Sequence, residues 1–391
     1  MNIIADQNIL FAAESFAELG EVTVLPSYKI NREELKKADI ALVRSVTPVG
    51  KELLEDTPVR FVASATIGID HVDLDYLRER SIGFAHAPGS NADSVAEYVL
   101  ASILETTGKT ASELSGLKIA IIGVGNVGSK VCRIATSLGM ECLLYDPPKK
   151  QLTGSGIYLP LEQVLSEADI ITLHVPLEMS EPYSTYHMVN KDFMSMIKNK
   201  PILINTSRGK VIDEKEFRQS RDCFGPVVFD VWDNEPSINT ETVRMVDIAT
   251  PHIAGYSFDG KVRGTEMIQS STCAFFFQKQ NWFVDKEQIS NICETLDLSE
   301  SGDPVTDAVR SAYQIKKDDE QFRAIFSVSK EMQHSFFEEF RKNYHRRYEF
   351  PHFLTLLSEK QKEEMEILSQ LRFPAELKSG VDDTVESVSS T

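Results

Sequence analysis

Three polar residues each follow a run of apolar residues that is typical of a buried strand. Arg208 comes directly after "PILINTS", Glu235 lies in "FDVWDNEP" and His252 lies in "IATPHIAG". The carboxyl ends of parallel strands meet at one edge of a sheet, so we expect these side chains to converge in a single crevice. Because an arginine cannot lose its charge, Arg208 needs either an acidic side chain nearby or an anion that binds from outside.

These residue types fit hydride transfer to or from a 2-hydroxy or 2-oxo acid. Arg208 can hold a carboxylate through two parallel hydrogen bonds and so orient the α-carbon. The imidazole of His252 can take the hydroxyl proton as the hydride leaves, and Glu235 can fix the tautomer of that imidazole. Each residue alone has a plainer interpretation, since an Arg and a Glu often form a structural ion pair and a lone His is often a core residue. Their joint placement after successive strands favours catalysis.

The segment "KIAIIGVGNVGSKV" predicts a dinucleotide-binding turn, because it places Gly123, Gly125 and Gly128 between an apolar strand and a helix. The first glycine permits a tight turn, the second lets the backbone approach a pyrophosphate, and the third lets helix and strand pack closely. The free N–H groups of the helix N-terminus would bind the diphosphate. The next strand ends in Asp146, which would accept hydrogen bonds from the ribose hydroxyls and repel a 2′-phosphate. NAD rather than NADP is therefore the expected cofactor.

Two series of alternating strands and helices must position these residues. The first hundred residues contain strand-like segments separated by stretches of helical composition, at 2–6, 21–26, 40–45, 60–66 and 83–88. A second series follows a predicted helix over 91–114, with strand-like segments at 118–123, 141–146, 170–176, 201–206, 226–232 and 247–255. This rhythm predicts parallel sheets covered by helices.

We therefore predict an α/β fold with two Rossmann-like, doubly wound parallel-sheet domains and a C-terminal α+β domain. The first domain should span 1–92 and be completed by 256–281, and the dinucleotide-binding domain should span 93–255. Residues 282–373, rich in charge and aromatic side chains, should form the third domain. The acidic and polar end, 374–391, lacks periodicity and is predicted to be disordered.

The composition excludes several classes of function. The 391 residues carry 41 basic and 59 acidic side chains, a net charge of −18, which disfavours binding to nucleic acid or anionic membranes. The five cysteines show no metal-like or C-x-x-C spacing, so no metal is expected and a reducing, cytoplasmic location is indicated. No secretion signal or membrane-spanning run is visible.

Four motifs in combination resemble the D-2-hydroxyacid dehydrogenase family: "LSGLKIAIIGVGNVG", "LINTSRGKVID", "DVWDNEP" and "TPHIAGYSFDGKVRGT". The resemblance implies catalytic roles for Arg208, Glu235 and His252. It also implies NAD contacts by the glycine-rich turn and by residues near later strand ends, namely Asn126, Val127, Asp146, Val175, Asp230 and Gly255. Implied substrate contacts are Ser45, Thr66 and Tyr256. Relatives often have Thr at the position of Val175. This chain therefore lacks the threonine hydroxyl there, but the backbone of Val175 can still contact NAD.

Further motifs resemble members of the family that act on a small phosphorylated 2-hydroxy acid. They are "YDPP", "ALVRSVTPV" and "ATIGIDHVD", with "DDEQFR" and "FRKNYHRRYEF" in the last hundred residues. In those members the final domain mediates dimerisation, so a homodimer is expected through 282–373. Members acting on 3-phosphoglycerate or hydroxypyruvate are an open alternative, and so is an NAD-sensing regulator without activity, although the intact Arg–Glu–His set argues against the regulator.

The phosphate of such a substrate needs its own cations, since Arg208 is assigned to the carboxylate. The candidates are Arg44 and Ser45 of "ALVRSVTP", Lys261 and Arg263 of "DGKVRGT", and the run His345–Arg347. Arg44 is favoured because, like Arg208, it ends an apolar strand. The basic run has a plainer interpretation as a solvent-facing helix end.

Overall fold

The computed structural model describes residues 1–285 and 291–378, and these contain two large parallel sheets and a third, small one. The central strands of the large sheets are apolar on both faces because helices cover both sides. The predicted fold class, an α/β protein with two Rossmann-like domains and a smaller C-terminal domain, is confirmed.

The first sheet has five strands in the order β2-β1-β3-β4-β5. Its strands are β1 (Asn2–Asp6), β2 (Glu21–Leu25), β3 (Ile40–Val43), β4 (Phe61–Ser64) and β5 (Gly83–His86). Short helices connect them: α1 (Ala12–Phe16), α2 (Arg32–Leu35), α3 (Lys51–Leu54) and α4 (Leu74–Glu79). A late helix, α12 (Phe258–Phe275), returns to this sheet and packs Ile268 and Cys273 into its core.

The second sheet has six strands in the order β11-β10-β9-β8-β6-β7. Its strands are β6 (Lys118–Ile122), β7 (Glu141–Tyr145), β8 (Ile170–Leu173), β9 (Ile202–Asn205), β10 (Val227–Phe229) and β11 (Ile248–Ala249). Its helices are α5 (Ala92–Thr107), α6 (Asn126–Ser137), α7 (Pro147–Thr153), α8 (Leu161–Glu167), α9 (Lys191–Ser195), α10 (Glu214–Gln219) and α11 (Thr240–Met245).

The third sheet is parallel and has the order β12-β13-β14. Its strands are β12 (Glu294–Asp297), β13 (Phe353–Leu357) and β14 (Ala375–Leu377), and its helices are α13 (Pro304–Ala312), α14 (Ile315–Phe322), α15 (Lys330–Lys342) and α16 (Lys362–Gln370). Among the described residues, the core of this C-terminal domain is continuous with that of the second domain. Leu296 and Phe353 share a cluster with Ile119, and Phe322 and Phe337 share another with Phe229.

Two sequence predictions fail at element boundaries. The helix predicted over 91–114 ends at Thr107, because Gly108 adopts a left-handed conformation (φ 64°) that closes the helix. The disordered tail predicted from 374 begins too early, since Ala375–Leu377 pairs with Thr355–Leu357 in the third sheet. The remainder of that prediction, 379–391, lies outside the described residues. Within the described part of the chain, no helix is long and apolar enough to cross a membrane.

Candidate active site

The glycine-rich turn between β6 and α6 has the geometry that its sequence predicts. Gly123 has a φ of 88°, and a Cβ there would lie 2.8 Å from the carbonyl oxygen of His174. A Cβ at Gly128 would lie 2.1 Å from the Gly123 carbonyl oxygen, so helix and strand approach as closely as glycine allows. A Cβ at Gly125, by contrast, would meet no other described heavy atom within 4 Å. The turn therefore leaves open space where a ligand can approach the backbone.

The N-terminus of α6 is open as well. Gly125 caps the helix without a side-chain hydrogen bond, Asn126 is exposed and Val127 is half-buried. The carboxylate of Asp146 accepts hydrogen bonds from the backbone N–H groups of Val124 (2.9 Å) and Lys149 (3.0 Å), which fixes it beside the turn. Free N–H groups and a fixed carboxylate fit the diphosphate and ribose of NAD, which would supply the hydride acceptor when bound.

The cofactor preference can be tested at Asp146. We expect NAD(H) to bind more tightly than NADP(H), because a 2′-phosphate would be placed against this carboxylate. Asp146→Asn removes the negative charge but keeps one acceptor oxygen. It should therefore reduce the difference between the dissociation constants of NAD(H) and NADP(H). Calorimetric titration of both cofactors measures this, and equal or tighter binding of NADP(H) to the unsubstituted protein would contradict the role of Asp146.

His252 and Glu235 form a close pair. Nδ1 of His252 lies 2.7 Å from Oε2 of Glu235, and the other oxygen of Glu235 accepts the backbone N–H of Trp232 (2.8 Å). Burial alone would raise the pKa of Glu235, but the charge and hydrogen bond of His252 and the charge of Arg341 outweigh it and lower that pKa. Glu235 is thus held as a carboxylate that orients the imidazole. No hydrogen bond to Nε2 of His252 is recorded among the described residues, so this atom can face a substrate.

Asp230 holds the loop that carries His252. Its carboxylate accepts hydrogen bonds from Thr250 Oγ1 (2.7 Å), Ile253 N (2.7 Å) and Ala254 N (3.0 Å), and its carbonyl accepts His252 N (2.6 Å). These bonds keep His252 in a left-handed conformation (φ 58°), which a non-glycine residue adopts only under such constraint. Asp230 is buried, and its contact with the cofactor stays a prediction.

Arg208 is presented by a turn at the end of β9. The side chain of Asn205 accepts hydrogen bonds from the backbone and hydroxyl of Ser207 and donates one to the Arg208 carbonyl (3.1 Å). The guanidinium crosses to the first domain, where Nε and Nη2 donate to one oxygen of Asp70 at 3.1 and 3.0 Å. A Cβ at Gly68 would come 2.0 Å from Nη2, so this glycine makes the approach possible. Of the two partners considered for Arg208, the structure shows the acidic one.

The Asp70 pair predicts an effect on substrate affinity. A substrate carboxylate must displace Asp70 to reach Arg208, so we expect Asp70→Asn to lower KM and leave kcat unchanged. The pair is exposed and worth about 0.2–1 kcal/mol, which corresponds to a fall in KM of about 1.5- to 5-fold. Steady-state kinetics test this, with the exposed Asp75→Asn as a charge-matched control. A rise in KM would show that Asp70 aids binding.

The predicted substrate contacts differ in their surroundings. Thr66 follows β4, and its hydroxyl donates to the Gly68 carbonyl (2.9 Å), which places it next to Arg208. Ser45 is exposed beyond β3. Tyr256 lies four residues after His252, and its hydroxyl accepts a hydrogen bond from Nη2 of Arg341 (2.9 Å). Contact with substrate stays a prediction for all three.

Arg341, which sequence reasoning missed, comes from α15 of the third domain. It is the only residue of that domain for which a hydrogen bond to a side chain of the predicted site is recorded among the described residues. The segment "EEFRKNYHRR" marks a charged helix end and gives no sign of which cation turns inward. Arg341 lies one helical turn after Phe337, which is fully buried. Helical periodicity therefore places Arg341 on the inward face of the helix, and this signal could have identified it.

Two phosphate candidates already have partners inside the chain. Arg263 pairs with the buried carboxylate of Glu349. Arg347 is 4% exposed and donates to the carbonyls of Ala254 (2.8 Å), Tyr256 (3.2 Å) and Ser94 (3.4 Å). The plainer interpretation of the run His345–Arg347, a helix end that faces solvent, is therefore wrong for Arg347. This residue faces the interior and binds the backbone that follows His252.

The other predicted cofactor contacts lie near the glycine-rich turn or the domain boundary. A methyl group of Val175 would lie 2.8 Å from a Cβ at Gly123, so Val175 covers that turn. A Cβ at Gly255 would lie 1.9 Å from Nδ2 of Asn91, which shows that Gly255 is required by packing where the chain passes between the domains. Their contacts with NAD stay predictions. Within the described ranges, no group of three or more His, Cys, Asp or Glu side chains is arranged to hold a metal.

Comparison with known proteins identifies the family. Residues 91–254 match the NAD-binding domain of D-isomer-specific 2-hydroxyacid dehydrogenases. The erythronate-4-phosphate dehydrogenase of Salinibacter ruber is 41% identical over 89% of this chain and 92% of its own length. That of Photorhabdus laumondii is 36% identical over 96% of this chain and 100% of its own. The chain belongs to the erythronate-4-phosphate dehydrogenase family. It is an NAD-dependent 2-hydroxyacid dehydrogenase, which confirms the predicted enzyme class and cofactor.

Solved structures agree with this membership. The D-lactate dehydrogenase of Aquifex aeolicus, complexed with NAD and lactic acid, has a TM-score of 0.57 at 27% identity and covers 71% of this chain. The match covers 96% of the D-lactate dehydrogenase chain. The matches to the Salinibacter ruber and Photorhabdus laumondii enzymes cover 89% and 96% of this chain, so the similarity to these relatives extends into the third domain.

Proposed function

We propose that this enzyme oxidises 4-phospho-D-erythronate to 2-oxo-3-hydroxy-4-phosphobutanoate, with NAD as the hydride acceptor. The single observation that carries the proposal is the His252–Glu235 pair at 2.7 Å, set at a strand end beside an open dinucleotide turn. The shared name of the relatives supports the choice of substrate.

The three predicted catalytic side chains divide the work. Arg208 leaves Asp70 and holds the substrate carboxylate through two hydrogen bonds, which fixes the orientation of C2. Nε2 of His252 accepts the proton of the C2 hydroxyl while the hydrogen on C2 leaves with its electron pair for NAD. Glu235 stabilises the imidazolium that forms, and the products are the 2-oxo acid, NADH and one proton.

Three wider assignments belong to the same proposal. The reaction is a step in pyridoxine 5′-phosphate biosynthesis, as the name of the family suggests. The enzyme works in the cytoplasm, in line with its scattered cysteines. It forms a homodimer through its third domain.

A substrate panel tests the proposal. NADH formation is followed with 4-phospho-D-erythronate, D-3-phosphoglycerate, D-glycerate and D-erythronate. In a parallel series, an added 2-oxo acid oxidises the NADH back to NAD. We expect the highest kcat/KM for 4-phospho-D-erythronate. A higher value for D-3-phosphoglycerate would favour the alternative substrate, and NAD binding without turnover of any acid would favour the regulator.

A further inference from the structure

Three cations surround one tyrosine next to the predicted catalytic histidine. Arg341 donates from Nη2 to the hydroxyl of Tyr256 at 2.9 Å, and its guanidinium carbon lies 5.5 Å from the centre of that ring. Nζ of Lys261 lies 5.1 Å from the same ring centre. Arg44, which directly follows β3, contributes to lowering the pKa of Tyr256. We call Arg44, Lys261 and Arg341 around Tyr256 the cation cluster. It joins the first and third domains.

The cluster holds more positive charge than its neighbours balance. Glu338 lies 3.9 Å from Nη1 of Arg341 and is nearly half exposed, and the other nearby carboxylate, Glu235, is engaged with His252. Burial would raise the pKa of Tyr256, yet the three cations lower it. Desolvation together with Arg44 also lowers the pKa of Lys261. The lowered pKa of Tyr256 indicates a positive potential at this point, in a chain whose net charge is −18.

Arg341 also carries an unused donor. Its side chain is mostly buried, and its Nε has no hydrogen-bond partner among the described residues. A buried donor without a partner is costly, so such groups usually meet a ligand or an ordered water. Nη1 of Arg347 is also buried without a hydrogen-bond partner, but it lies 3.8 Å from the buried carboxyl of Glu97, and Arg263 pairs with Glu349. Among the described residues, Arg341 differs from both because its nearest carboxylate, Glu338, is partly exposed and lies 3.9 Å from Nη1.

We infer that the cation cluster binds the phosphate group of the substrate, with Lys261 and Arg341 as its charged ligands and Arg44 beside them. This inference rests on the proposed function and extends it to the distal end of the substrate. Arg208 would hold the carboxylate on one side of His252, and the cluster would hold the phosphate on the side of Tyr256. The third domain thereby supplies a specificity-determining residue to the active site of its own chain.

The experiment compares two substrates and four proteins. The substrates are 4-phospho-D-erythronate and D-erythronate, which differ only in the phosphate, and the proteins are the unsubstituted enzyme, Lys261→Gln, Arg341→Gln and Lys342→Gln. Lys342 is an exposed cation on the same helix as Arg341, so it controls for the loss of one charge. We expect Lys261→Gln and Arg341→Gln each to lower kcat/KM for the phosphorylated acid about ten-fold or more, since charge-assisted hydrogen bonds are lost. The value for D-erythronate should fall much less than the value for the phosphorylated acid, and all values of Lys342→Gln should stay the same.

Calorimetric titration with inorganic phosphate separates this inference from the proposed function. If no hydroxy acid is turned over, the proposed function fails, whereas weaker phosphate binding by Lys261→Gln and Arg341→Gln alone still supports the cluster. Equal losses for both substrates would mean that the two residues support the fold, and equal losses in all three variants would mean a general field effect. Either result overturns the inference. Should Arg341→Gln unfold, the exposed Lys261→Gln decides the outcome.

Discussion

His252→Ala should lower kcat by about 10²- to 10⁴-fold and leave the dissociation constant of NAD unchanged, because general acid–base catalysis supplies a factor of this size. The imidazole is the only group that the proposed reaction uses to remove the hydroxyl proton. The cofactor would be held by the turn after β6 and by Asp146, whose recorded contacts do not include His252. NADH formation under saturating conditions and calorimetric titration with NAD measure the two quantities.

Glu235→Gln is the matched comparison for that result. It keeps an acceptor oxygen for the imidazole N–H but removes the negative charge that stabilises the imidazolium, so we expect a smaller loss of kcat than for His252→Ala. If the His252→Ala protein kept the kcat of the unsubstituted enzyme, the His252–Glu235 pair would be structural. This outcome would agree with the plainer interpretation, in which a lone histidine is a core residue.

Arg347→Met should lower the free energy of unfolding by about 2–5 kcal/mol, because buried acceptors that lose their hydrogen bonds cost about 1–3 kcal/mol each. The guanidinium is buried and donates to the carbonyls of Ser94, Ala254 and Tyr256. Methionine fills similar space but leaves these acceptors unsatisfied. Equilibrium unfolding in urea gives the difference.

Arg346→Met serves as the control for this measurement. Arg346 is exposed and lies 5.1 Å over the ring of Phe258, a contact worth about 1 kcal/mol or less. If both variants lose the same stability, the buried position of Arg347 does not explain its effect.

The parts of the site that could be predicted are those marked by a short sequence motif or by their position at a strand end. Gly123 and Gly128 were identifiable because each is required by close packing within one strand–turn–helix unit, and Gly125 because it leaves space for a ligand beside the backbone. The placement of Arg208 and His252 followed from the rule that strand ends share an edge, and their pairing with Glu235 was anticipated for the histidine.

What escaped prediction depends on long-range packing. Asp70 lies in an exposed loop of the first domain, and nothing in "ATIGIDHVD" marks it as the partner of Arg208. Strand β12 shows one buried residue among four, so it has no alternating pattern to read. Arg341 and Arg347 lie in one basic segment, and only the fold of the third domain decides that the first meets Tyr256 while the second meets backbone carbonyls.

The close packing of Asn91 against Gly255 has a mechanical consequence. The chain passes between the first two domains at these two points, and the hydroxyls of Ser94 and Ser257 join the crossings at 2.6 Å. The two crossings lie next to each other, so we expect any rotation of the first domain against the second to occur about a single axis through them. Arg347 donates to Ser94, Ala254 and Tyr256 at both crossings, so we expect this residue of the third domain to restrict such a rotation.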